Sequence, residues 1–125
     1  KDATLVSYSI MTKKALEAAE ELSREGIEVE ILDLRTVDYS GIDYETIGES
    51  LKKTGKLLII EEGHFNGGIG AQICDEVQRR FFDYLDGEIR RIAGLPIPMP
   101  VSKVLEKLAV PHANDIAAEV RRMLE

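Results

Sequence analysis

Cysteine is nearly missing from these 125 residues. Cys74 stands alone, so no intramolecular disulfide can form, and a lone thiol fits a reducing compartment. Long apolar runs are missing too, and nothing approaches the roughly 20 residues of a membrane span. No basic stretch, apolar core and small-residue cleavage site opens the chain as a secretion signal would. Basic charge is in deficit: 16 Lys and Arg stand against 23 Asp and Glu, a net charge of −7. The bases are scattered or paired with acids rather than gathered in a stripe, which argues against nucleic acid as a partner, while the acidic balance suits a basic protein. The densest basic spot, Lys52, Lys53 and Lys56, reads as a solvated helix end. Histidine occurs twice, and His64, His112 and Cys74 are too far apart in sequence to make a recognisable zinc site.

What is present suits one globular domain. Apolar residues make up 44% and charged residues 31% of the chain, a balance able to fill a core. The length is that of a single domain and short for an enzyme with its own cofactor and substrate pockets. A strand is expected from Ala3 toward Ile10, then a helix from Thr12 with Ala15, Leu16, Ala19 and Leu22 on its apolar face, stopped by Gly26. Ile27, Val29, Ile31 and Leu34 give a second strand, and residues 43–54 a second helix closed by Gly55. The unbroken run Leu57-Leu58-Ile59-Ile60 has the pattern of a central parallel strand covered on both faces. Ile69, Ile73, Val77, Phe81 and Leu85 line a third helix, and residues 89–93 form a fourth strand. Pro96, Pro98 and Pro100 stiffen an extended segment, followed by a short helix near 102–108. A last helix, capped by Asn114, buries Ile116, Val120 and Leu124.

This alternation predicts an α/β fold, a three-layer α/β/α sandwich around a mostly parallel sheet. With strand order 2-1-3-4, any ligand crevice would lie where strand order reverses, facing residues 9–12 and the loop 63–70.

That loop is the most distinctive stretch: Glu61-Glu62-Gly63-His64-Phe65-Asn66-Gly67-Gly68-Ile69-Gly70. Glycines between a strand and a helix invite a phosphate cradle, the reading that would make the chain a small nucleotide- or anion-binding module. Against it, the third small residue of the dinucleotide fingerprint is missing, the unit is the third of the chain, and two glutamates would repel a pyrophosphate. Glu61, Glu62, Gly63, His64, Gly67, Gly68 and Gly70 therefore read as structural and interface residues, with the glycines allowing positive φ and close backbone approach. Adjacent carboxylates at a strand end point to opposite faces, so Glu61 and Glu62 cannot share a proton; one is expected to bond into the loop and the other to face water. Asp33 and Arg35 are expected to form a local ion pair, and Cys74 to be buried and inert. No catalytic, cofactor-binding or metal-binding residue emerges.

Taken in order, Asp33-Leu34-Arg35-Thr36, Glu61-Glu62-Gly63, Gly67-Gly68-Ile69-Gly70-Ala71, and Pro96-Ile97-Pro98-Met99-Pro100 with Val104-Leu105-Glu106 resemble the C-terminal domain of the transketolase-like thiamine enzymes. Within them the chain is most similar to the beta subunit of the decarboxylating component of pyruvate dehydrogenase. Branched-chain 2-oxoacid and acetoin dehydrogenases are the alternatives. The resemblance covers nearly the whole chain; it departs at Asp38-Tyr39-Ser40-Gly41, where the family usually has proline after Asp-Leu-Arg-Thr-x. It implies thiamine diphosphate and magnesium in the full enzyme but not in this domain. The implied partners are an alpha subunit, a second beta subunit and an acyltransferase subunit-binding domain. The acidic residues Asp83, Asp86 and Glu88, or the C-terminal helix, are the expected meeting place for that basic module, since acidic patches steer such partners. The implied compartment is the cytoplasm in a bacterium or the mitochondrial matrix otherwise. The opening at Lys1 is expected to be a cut within a longer beta subunit.

Overall fold

Residues 57–60 are buried on both faces of a sheet, and the rest of the molecule is arranged around that fact. The computed structural model describes residues 1–125. Four strands, β1 (Ala3–Ser7), β2 (Val29–Asp33), β3 (Leu57–His64) and β4 (Arg90–Gly94), pair in the order β2-β1-β3-β4. All pairings are parallel, as the central apolar run implies. Helices α1 (Ile10–Arg24), α2 (Tyr44–Thr54), α3 (Ile69–Phe81) and α5 (Ala113–Leu124) supply the outer layers, and the short α4 (Lys103–Ala109) stands outside both cores with only Ala109 buried.

Strand alternation decides which helix each residue meets. Leu5, Leu58 and Ile60 face α1 and α5, where they join Met11, Ala15, Leu22, Ile116 and Val120. Val6, Leu57 and Ile59 face the other way, toward Ile47 and Leu51 of α2 and Ile73 and Val77 of α3. Each face has its own core, which gives the expected three layers. Asp43 caps α2 by accepting the Thr46 N–H at 3.0 Å, and Gly55 ends it in the left-handed region at φ 67°. Beneath α2, the buried Thr4 hydroxyl lies 2.7 Å from both Ser50 and Thr54, so the one polar side chain in the middle of β1 is satisfied.

Several expectations are corrected. β1 stops at Ser7, because Ser9 takes a positive φ of 57° and turns the chain directly into α1 at Ile10. The buried stripe of α1 is then Met11, Ala15, Ala18 and Leu22, and Leu16 lies exposed. α3 ends at Phe81, and a single 3-10 turn (Phe82–Tyr84) carries Leu85 back against the same core. His112, not Asn114, precedes α5; its backbone N–H donates to Asp115 at 2.9 Å. Met123 is buried there where Leu124 was expected, and Leu124 is half-buried against the core edge. Arg35 does not pair with Asp33 through its side chain. The strand ends at Asp33, Arg35 sits at φ 57°, and its backbone N–H donates to the Asp33 carboxylate at 3.1 Å.

Candidate functional site

The chain leaves β1 toward β2 on one side and returns to pair β3 on the other, so the switch point lies beyond the carboxyl ends of β1 and β3. Tyr8 follows β1 there, and Glu61 stands near the end of β3. By alternation Glu61 shares the face of Leu57 and Ile59, under α3, while Glu62 points away and is exposed. The same rule places the arginines of β4. Arg91 is opposite Ile59 and so turns toward Glu61; Arg90 is opposite Leu58 and turns toward α5, meeting Glu119 at 2.9 Å.

Glu61 is fully buried (0% exposed) and spends its carboxylate on three donors. Oε1 accepts from Arg91 Nη2 at 2.8 Å, and Oε2 accepts from the Gly70 backbone N–H at 2.9 Å and from the Tyr8 hydroxyl at 3.3 Å. Arg91 is itself only 12% exposed. It also donates to the Phe65 carbonyl at 2.8 Å and lies over the Phe65 ring, 4.6 Å from its centre, which holds the loop in place. Its Nε is buried with no hydrogen-bond partner. Burial of the Tyr8 phenol, and next the charge of Glu61 beside it, push the Tyr8 pKa up to about 12.

The glycine block is shaped around this carboxylate. A Cβ on Gly68 would stand 2.6 Å from Glu61 Oε1 and 2.7 Å from the His64 carbonyl; one on Gly70 would stand 2.8 Å from the same carboxylate oxygen. Gly67 supplies the positive φ, at 70°. Gly63 lies between, with only the Tyr8 hydroxyl near. His64 ends β3 exposed to solvent. A diphosphate set against α3 would need the amide and guanidinium that Glu61 already holds, and would face a negative charge. The residues at this point therefore do not fit such a group. Nowhere do three or more His, Cys, Asp or Glu side chains gather in a way that could hold a metal ion.

The second place the sequence singled out lies beyond α3. Asp83 and Asp86 are exposed and make no ion pair, whereas Glu88 is paired with Arg90 at 2.8 Å. Glu88 lines a groove of about 340 Å³ with Cys74, Gln78, Phe82 and Leu85, next to which Asp83 and Asp86 stand in sequence, the Asp86 carboxylate lying against Gly55. Cys74 is half-buried rather than buried, and burial pushes its thiol pKa up. Sequence reasoning missed Tyr8 and Arg91 as members of the first site. A charged residue inside a strand of a covered sheet was the available signal for Arg91, since such a group needs a partner. Also missed was the exposure of Leu95, Ile97, Met99, Val101, Leu105 and Leu108, around and within α4.

Comparison with known proteins agrees with this geometry. Residues 1–116 match the family described as transketolase, C-terminal domain. The chain is 46% identical over 121 residues to the pyruvate dehydrogenase E1 component subunit beta of Rhizobium meliloti, covering 97% of this chain and 26% of that protein. It is 44% identical over 122 residues to the mitochondrial subunit beta-2 of Oryza sativa, covering 98% and 32%. A solved structure titled as a split gene transketolase in an inactive beta4 tetramer superposes with a TM-score of 0.82 at 29% identity, over 99% of this chain and 38% of that one. The chain thus spans about a quarter to a third of the length of these relatives.

Proposed function

The chain belongs to the transketolase C-terminal domain family, and on that premise we propose that it is the C-terminal domain of a pyruvate dehydrogenase beta subunit that organises assembly rather than chemistry. The observation that carries this reading is the closed switch point. Where a doubly wound sheet usually opens a ligand crevice, this one holds Glu61 with Arg91 and Tyr8 both donating to its carboxylate. In the full enzyme, thiamine diphosphate and magnesium are held by other parts of the assembly.

Two surfaces support the assembly role. The apolar side chains of residues 95–108 stand in solvent, Val101 completely (100%) and Leu108 at 71%, an exposure that single soluble domains rarely tolerate over one segment and that subunit contacts cover. We assign this segment to packing against the alpha subunit or the second beta subunit. The groove beside Asp83, Asp86 and Glu88 is assigned to the acyltransferase subunit-binding domain, a basic partner for an acidic rim around Phe82 and Leu85. We assign its place of work to the cytoplasm of a bacterium or the mitochondrial matrix, a reading supported by its similarity to bacterial and mitochondrial relatives.

Two measurements test the reading. Given pyruvate, thiamine diphosphate and magnesium, the chain alone is expected to release no carbon dioxide. Leu105→Asp with Leu108→Asp, placed in a full-length beta subunit, is expected to leave the subunit folded and to lower its co-sedimentation with the alpha subunit. Decarboxylation by the chain alone, or unchanged assembly, would overturn the proposal.

A further inference from the structure

We propose that Glu61 is a built-in ligand: its carboxylate occupies an anion position at the switch point between β1 and β3 and closes it to anions from solution. The inference does not depend on which 2-oxoacid, if any, the full protein handles. Three donors from three separate elements converge on one carboxylate: the Gly70 amide of α3, the Arg91 guanidinium of β4 and the Tyr8 hydroxyl after β1. A buried carboxylate is costly unless such partners are present, and these are present in the arrangement an anion receptor would have. Backbone approaches closely because Gly68 and Gly70 lack a Cβ, yet what it approaches is the Glu61 side chain. The pocket wall is thus shaped for a carboxylate. Arg91 keeps a further buried N–H, at Nε, that Glu61 does not take up.

Tethering gives the Glu61 carboxylate an effective concentration that a free anion cannot match. The intact protein is therefore blind to anions at this point, and cutting the carboxylate away turns the same donors into a receptor for a small carboxylate. The test uses Glu61→Ala in the protein at its natural full length, with thermal unfolding followed in formate, acetate and chloride at matched ionic strength. Formate or acetate is expected to raise the midpoint of the variant saturably, on the order of 5 °C at a large excess over Kd, and to leave the parent where chloride leaves it. Arg91→Met in the Glu61→Ala background is expected to abolish that rise. If Glu61→Ala does not fold in chloride, recovery of a cooperative transition in formate or acetate supports the proposal, and failure in both overturns it. Equal midpoints in formate, acetate and chloride, or a rise of the same size in the parent, also overturn it.

Discussion

Tyr8 donates its phenol to Glu61 at 3.3 Å across the gap between the ends of β1 and β3, linking a residue that follows one strand to a carboxylate buried in the next. The contact gives the protein an alkaline signature. The Tyr8 pKa rises from 10.0 to about 12, chiefly by burial and then by the Glu61 charge. A raised pKa means that the folded state favours the neutral phenol, so this contribution to stability is complete below about pH 10 and is lost as pH rises through about 12. Tyr8→Phe is expected to flatten the fall in stability over that window while leaving the acid side unchanged. Denaturant midpoints measured against pH check the slope. Loss of one late-titrating phenolate in the absorbance titration of the variant identifies the residue.

The Glu61–Arg91 pair is a case in which removing one partner costs more than removing both. Glu61→Gln leaves a guanidinium at 12% exposure without its counter-charge, and Arg91→Met leaves a carboxylate at 0% exposure without its own. Each single change is expected to cost about 3–5 kcal/mol, because an uncompensated buried charge remains. The double variant is expected to cost less than either single change. Urea unfolding of the four proteins at neutral pH gives the coupling, and additive losses would show that the two groups act independently.

How much of this was legible in the sequence depends on whether the determining contact is local. The unbroken run 57–60 reads as an inner strand because a strand covered on both faces is apolar throughout, and β3 does lie between β1 and β4; the order β2-β1-β3-β4 itself is an assumption that the sequence does not dictate. Asp43 and Gly55 bracket α2 because cap chemistry is local. The stripe of α1 was misjudged because apolarity alone cannot rank Leu16 against Ala18; α5 approaches the alanine side and leaves the leucine in solvent. Asp33 and Arg35 would share a face only if the strand continued, and Arg35 at φ 57° ends that geometry. The expected split between Glu61 and Glu62 held, because alternation belongs to the strand itself. Its partner Arg91 lies 30 residues away, and their meeting depends on the register that sets Ile59 beside Arg91. Pairwise register is a tertiary fact that no window of sequence contains.

The same site makes neighbouring glycines unequal. Gly70→Ala would place a methyl 2.8 Å from Glu61 Oε1 and 3.0 Å from Arg91 Nε, and Gly68→Ala would press on the His64 carbonyl at 2.7 Å. Backbone and a buried pair cannot step aside, so each change is expected to cost about 1–3 kcal/mol. Gly87→Ala has nothing within 4 Å and is expected to stay within about 0.5 kcal/mol of the parent. Chemical denaturation of the three variants tests the ranking; a tolerated Gly70→Ala would mean that α3 can back away from the carboxylate.

Docking at the groove beyond α3 calls for a choice among its acids. Glu88 already holds Arg90, which in turn reaches Glu119 of α5, so reversing its charge would disturb β4 and α5 as well as the surface. Asp83 and Asp86 form no such ion pair, but the Asp86 carboxylate lies against Gly55 at the end of α2 and its backbone N–H donates to the Gly55 carbonyl at 2.8 Å. Asp83→Lys is therefore the cleaner reversal. On the docking reading it is expected to slow association with a basic acyltransferase subunit-binding domain on the order of tenfold at low salt, since rim charges act mainly on the rate of encounter. The gap between variant and parent should close as salt shortens the screening length. Phe82, exposed at the groove, contributes in a different way: Phe82→Ala should speed dissociation with little effect on association and little dependence on salt. Surface plasmon resonance over a range of ionic strength separates the two contributions. Association rates that stay equal to the parent's across that range would move the docking site away from this end of α3.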